Sequence, residues 1–195
     1  MGGVNGQTNG QPIVCILGSY SPERGEPLYE RAYAIGHALA SAGFVVCNGG
    51  YDGIMEASAK GAKDAGGSTI GVTCAVFSDY RGRPLKANRY IDREITSPDP
   101  FARIRAMLDM SAAYVVLEGG TGTLSEFGIV WEHVCKRLIA PRPIFVVGDF
   151  WRPLVDRIVS ARPSSGKHVH CVETAAEIVA IAARAGLRPP PANTV

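Results

Sequence analysis

Residues 115–134, VVLEGGTGTLSEFGIVWEHV, decide the fold of this chain. A run of β-formers enters a bare elbow of three glycines and two threonines. An amphipathic pattern follows, with Glu126 about one helical turn in. A buried strand that turns through glycine into a helix is the unit from which parallel sheets are built. The helix N-terminus leaves unpaired N–H groups and a positive partial charge, and glycine lets backbone approach a ligand closely. Gly119, Gly120, Thr121, Gly122 and Thr123 are therefore candidates to hold an anion. Glu126 is a candidate to act on whatever that anion carries.

The same alternation extends in both directions. Upstream, 12–20 (PIVCILGSY) reads as a buried strand ending at a Gly/Ser turn. A helix follows over 27–42, with Pro27 in its first turn and Gly43 at its stop. FVVCN (44–48) is a second strand, 54–65 a helix of small residues, and TIGVT (69–73) a third strand. Helix 101–112, introduced by Pro98 and Pro100, leads to strand 113–117. Downstream of the elbow a helix of about 14 residues carries Leu124, Phe127, Trp131, Val134 and Leu138 on one face, by the helical period. Strand 143–148, a short helix over 150–161, strand 168–172 and a closing helix over 173–186 complete the pattern. The prediction is one α/β domain over 12–187, a doubly wound parallel sheet, with a flexible leader at 1–11 and a flexible tail at 188–195.

Composition narrows the function classes. A chain of 195 residues suits one core, and 46% apolar content is ordinary for a globular protein. A net charge of +2 gives no electrostatic footprint for nucleic acid, so no nucleic-acid partner is expected. No apolar run reaches membrane-spanning length, and the N-terminal residues show no secretory signal. The five cysteines are widely spaced, without a zinc pattern, which fits a reducing, cytoplasmic setting. No metal site is predicted. The four histidines show no ligand spacing.

Ligands of open parallel sheets bind at the carboxyl ends of the strands, near the switch in strand order. Three glycine-bearing strand exits supply candidates there: 17–21, 48–56 and 118–126. Neither G-x-G-x-x-G after the first strand nor G-x-x-x-x-G-K-[ST] occurs, so a dinucleotide or a triphosphate with Mg²⁺ is disfavoured. A monophosphate fits better. Arg103 and Arg105 lie two apart on one helix, so only one can face the strand ends, and Met107 shares the face of Arg103. Residues 74–97 form an irregular connection, within which 89–95 is a candidate short strand. Connections of that length are often functional. Arg81, Arg83 and Lys86 on it are read as solvated rather than as a cover for the site.

These residues resemble a known family. EGGTGTLSE is similar to the PGGxGTxxE signature of the Lonely-Guy (LOG) family, formerly called lysine decarboxylase-like. GGYDGIMEASAKGAKDAGGSTIGVT resembles that family's second-strand glycine loop and the helix after it. FARIRAM fits its Arg-x-x-x-Met element at Arg103 and Met107. The resemblance spans roughly 12–182 and implies a Rossmann-like homodimer that cleaves the N-glycosidic bond of a nucleoside 5′-monophosphate. The expected substrate is a cytokinin riboside 5′-monophosphate or AMP; the products are free base and ribose 5-phosphate, with no cofactor. It further implies Arg103 and Glu126 as the catalytic pair, the 119–123 elbow as the phosphate site, and Ser19, Gly49, Gly50, Tyr51, Met55 and Met107 around the ligand. The sequence departs from the family pattern at Glu118 (proline), Ser125 (often glutamate) and Asn48 (often glycine). Molybdenum-cofactor carrier proteins share this core and bind a phosphorylated ligand without hydrolysing it, so carriage stands as the alternative. A decarboxylase would need a cofactor such as pyridoxal phosphate, and no lysine anchor is evident.

Overall fold

The computed structural model describes residues 7, 8 and 10–187. Seven strands form an all-parallel sheet: β2 (Gln11–Leu17), β3 (Val45–Asn48), β4 (Thr69–Cys74), β5 (Arg93–Ser97), β6 (Ala113–Val116), β7 (Ile144–Val147) and β8 (Val169–Val172). A short β1 (Gln7–Thr8) pairs antiparallel with the start of β2. The leader expected over 1–11 thus contributes ladder bonds at Gln7 and Thr8. The tail expected at 188–195 lies outside the described residues.

The strand order is β5-β4-β3-β2-β6-β7-β8. The chain winds outward from β2 to β5, then returns to place β6 on the other side of β2. Register pairs Cys15 with Cys47 on one side of β2 and with Tyr114 on the other. The order therefore reverses between β2 and β6, which is where the first and third glycine exits emerge together.

Alternate residues of each strand feed two cores, as expected of a sheet covered on both faces. Val14 and Ile16 pack with helices α1 (Pro27–Ser41), α2 (Ile54–Asp64) and α6 (Ala175–Arg184). Ile13, Cys15 and Leu17 pack with α3 (Pro100–Met110), α4 (Thr121–Cys135) and α5 (Arg152–Ala161). The helix ends follow sequence chemistry. Pro27 opens α1, and Gly43 follows its end at φ 84°. Asp99 caps α3 by accepting from the Ala102 N–H at 2.9 Å, and Thr174 with Glu177 forms a capping box on α6.

Two details of the periodicity reading are corrected. Phe127, Trp131 and Val134 are buried on α4, but Leu124 is 41% exposed. Leu138 lies past the helix end at Cys135 and is 63% exposed. Arg137, at φ 56°, has already turned the chain away from helical geometry. No helix among the described residues is long and apolar enough to cross a membrane.

Candidate functional site

The carboxyl ends of β2, β3, β4 and β6 surround a cleft of about 1070 Å³. One wall is the α4 elbow. Gly120 caps the helix in extended geometry, with no side-chain cap. The first helical bond back to it comes from the Leu124 N–H at 3.0 Å. Among the described residues no protein acceptor takes the N–H groups of Thr121, Gly122 or Thr123. Three donors at the positive end of a 15-residue helix face the cleft, which suits an anion. The buried Thr123 backs onto Gly119, where a Cβ would come within 2.2 Å of Thr123 Oγ1.

The floor is an ion pair. Arg103 of α3 is buried, and its Nη1 donates to Glu126 Oε1 at 2.9 Å. Its Nε donates to the Val72 carbonyl at 2.7 Å, and Nη2 lies 4.0 Å from Met55 Sδ. The guanidinium carbon is 5.7 Å from the ring centroids of both Tyr51 and Phe77. Burial pushes the Glu126 carboxyl above its ordinary range, and the charge and hydrogen bond of Arg103 offset only part of that. A carboxylate held partly toward its acid form, beside a fixed cation, is suited to accept a proton or to face a developing positive charge. Arg105 points away and pairs with Asp109 at 2.8 Å.

The glycine loop after β3 is shaped by that arginine. A Cβ on Gly49 would meet Arg103 Nη2 at 1.7 Å, so only glycine permits the pair to sit where it does. Gly50 follows at φ 82°, the left-handed region that glycine adopts without strain. Asn48, standing where the family pattern has glycine, is fully buried. Its Oδ1 accepts from the Gly50 N–H at 2.8 Å, and its Nδ2 donates to the Met55 carbonyl at 2.9 Å and to Ser58 Oγ at 3.1 Å. It holds the loop onto the first turn of α2.

The sequence-predicted residues are not all placed alike. Ser19, Gly49, Tyr51, Met55, Arg103, Gly120, Thr121, Gly122, Thr123 and Glu126 line the cleft. Gly50 and Gly119 do not line it. Met107 is buried in the core beneath it. Glu118 is turned toward a separate small recess beside Arg31 at the start of α1, and its carbonyl accepts from the Ser19 N–H at 3.0 Å. Its charge does not line the elbow cleft. Ser125 Oγ donates to the Thr121 carbonyl at 2.8 Å.

One wall was left without a role by sequence reasoning. The β4–β5 connection rises as a hairpin, closed by an antiparallel bridge between Ser78 and Pro84, and brings Phe77, Asp79, Tyr80, Leu85 and Lys86 to the cleft. Arg81 and Arg83 are turned to their own loop: Arg83 pairs with Asp79 at 2.7 Å, and Arg81 lies over the Tyr80 ring. Lys86 alone of the three basic residues lines the site. The aromatic residues in a long connection were the available signal.

Known proteins share this architecture. A cytokinin riboside 5′-monophosphate phosphoribohydrolase from Mycobacterium tuberculosis is 35% identical over 63% of this chain and 63% of its own length, so the alignment spans less than two thirds of either. One of the same name from Rhodococcoides fascians is 28% identical over 76% of this chain and 74% of its own. The structure of a Moco carrier protein from Chlamydomonas reinhardtii superposes with a TM-score of 0.66 at 28% identity, covering 91% of this chain and 97% of that one. Residues 11–179 match the SLOG cluster4 family, a span that includes every strand of the parallel sheet and every residue of the cleft, and the chain belongs to that family.

Proposed function

We propose that the chain is a phosphoribohydrolase that cleaves the N-glycosidic bond of a nucleoside 5′-monophosphate, such as a cytokinin riboside monophosphate or AMP. The observation that carries this reading is the Arg103–Glu126 pair at the floor of a cleft whose wall is an uncapped helix N-terminus. A 5′-phosphate on the Thr121–Thr123 amides brings the ribose toward Glu126. Breaking the bond between the base nitrogen and the anomeric carbon builds oxocarbenium character on the sugar, as in glycoside hydrolysis. The Glu126 carboxylate stabilises that charge and takes a proton from the attacking water. The water oxygen ends on the anomeric carbon, and the departing nitrogen is protonated from solvent. Arg103 cannot donate that proton, because a guanidinium stays charged. It fixes Glu126 instead.

Relatives named for this activity support the reading, and so does retention of both charged groups. The test is release of free base from AMP and cytokinin riboside monophosphates, with the corresponding nucleosides as controls. Cleavage of the monophosphates alone is expected. Cleavage of the nucleosides at equal rate would remove the phosphate anchor from the proposal.

The size of the cleft and the nearly whole-chain likeness to a Moco carrier favour a second reading. In it the same amides anchor the phosphate of molybdenum cofactor for carriage. Absence of base release together with tight cofactor binding would select it.

A further inference from the structure

We propose that Phe77 is a positioning residue for Arg103, holding its guanidinium against the pair with Glu126 from the root of the β4–β5 hairpin; the catalytic weight of this role rests on the hydrolase reading, its structural content does not. The guanidinium has three fixed partners in Val72, Glu126 and Met55. Two aromatic rings close on it in addition. Tyr51 comes from the glycine loop and Phe77 from the hairpin, each with its centroid 5.7 Å from the guanidinium carbon. At that range a ring attracts the cation through its quadrupole, and more strongly where water is excluded.

The two rings are anchored to the same turn. Tyr51 Oη accepts from the Cys74 N–H at 2.8 Å and donates to the Cys74 carbonyl at 3.3 Å. The Phe77 N–H donates to that carbonyl at 3.2 Å, and the rings stand 6.1 Å apart. The far root of the hairpin is fastened to the glycine loop as well. The Asn88 N–H donates to the Gly50 carbonyl at 2.7 Å, and Asn88 Nδ2 donates to the Tyr51 carbonyl at 2.8 Å. Phe77 is held by backbone bonds on both sides, its N–H on the Cys74 carbonyl and its own carbonyl accepting from the Leu85 N–H at 3.0 Å, while its side chain stays only half-buried. A half-buried ring contributes little to the core. Its placement is explained by the cation beside it.

The test follows the Nε–H of Arg103 in the full-length chain by ¹⁵N NMR, with the resonance identified by its loss in Arg103→Lys. In the wild type this proton, bonded to the Val72 carbonyl, should exchange slowly. Phe77→Ala should speed its exchange at least ~10-fold, Phe77→Tyr should restore the slow rate, and the melting temperature of both should stay within a few degrees of wild type. Exchange in Phe77→Ala as slow as in the wild type, or a faster rate that Phe77→Tyr fails to reverse, would overturn the proposal. The readout needs no turnover, so it stands or falls apart from the hydrolase assay. Where base release is measured, Phe77→Ala should lower kcat ~10-fold or more with little change in KM, as expected when a catalytic group loses its alignment.

Discussion

Arg103 Nη1 and Glu126 Oε1 are 2.9 Å apart, although 23 residues and strand β6 separate them in the chain. Both side chains are nearly shut off from solvent, at 10% and 13% exposure. Glu126→Gln keeps the shape and a carbonyl acceptor for Arg103 but removes the charge. It should lower kcat by at least ~10²-fold while KM changes little, measured as free-base release under saturating monophosphate. Unchanged turnover would remove Glu126 from catalysis.

Loss of the other partner should show first in stability. Arg103→Ala leaves the Glu126 carboxylate buried without its cation and the Val72 carbonyl without its donor. Breaking a buried pair from one side costs about 3 kcal/mol or more. Urea unfolding at neutral pH should show a lower midpoint. Arg103→Ala combined with Glu126→Gln should recover part of the loss, because no unpaired charge then remains.

The pH dependence has a defined sign. The Glu126 carboxyl is raised in the folded state, chiefly by burial. The folded protein then holds a proton that the unfolded chain has already released. This group's contribution to stability is therefore largest at acid pH and falls as pH rises from the ordinary carboxylate value to the folded one. Activity runs the opposite way, since the ionised form is needed. On the hydrolase reading, the acid limb of the kcat/KM profile, which reports the free enzyme, should lie above the ordinary glutamate value. In Arg103→Met, which removes the group that lowers this pKa, the limb should move further up.

Gly49 should tolerate no side chain without loss of function. An added Cβ would stand 1.7 Å from Arg103 Nη2, and the guanidinium is tied on its other edges. Gly49→Ala should push Arg103 off Glu126 and cost ~10²-fold in kcat, the scale of a misplacement of about 1 Å. The fold should persist by circular dichroism. Retained activity would mean that the pair is not needed in this geometry.

Asn48 gives a prediction that the family pattern alone would reverse. Replacing it by the common glycine would look like restoration. Here its amide satisfies the Gly50 N–H, the Met55 carbonyl and Ser58 Oγ inside a fully buried site. Asn48→Gly should leave the buried Gly50 N–H without a partner, while the Met55 carbonyl keeps Ser58 Oγ at 3.2 Å, and cost about 1–3 kcal/mol. Thermal unfolding should report a melting temperature lower by about 2–12 °C.

Much of this was legible in the sequence because burial and turn chemistry are local signals. The alternation of strand and helix and the Gly/Thr elbow follow from side-chain period and from glycine at strand exits; the period also says that only one of Arg103 and Arg105 faces the strand ends, and the family resemblance picks Arg103. What the sequence withheld depends on direction in space. Glu118 stands beside the Gly/Thr elbow in the chain, yet it borders a recess at the start of α1 rather than the cleft. Met107 shares a helix face with Arg103, but that face meets the core under the cleft at one position and the cleft at the other. Leu138 keeps the helical period after the helix has ended at Cys135. The hairpin that walls the site has no periodicity to read, because its position is set by its roots, Asn88 on the Gly50 carbonyl and Phe77 on the Cys74 carbonyl.

Those roots have a wider consequence. Both ends of the hairpin are fastened to backbone, so its tip at 78–84 can change in length or chemistry without disturbing the amides of α4. On the proposed reading, the α4 amides grip the phosphate common to the ligands, and the hairpin tip meets the part that varies. Repertoire within such a scaffold can diversify by rewriting one short insert.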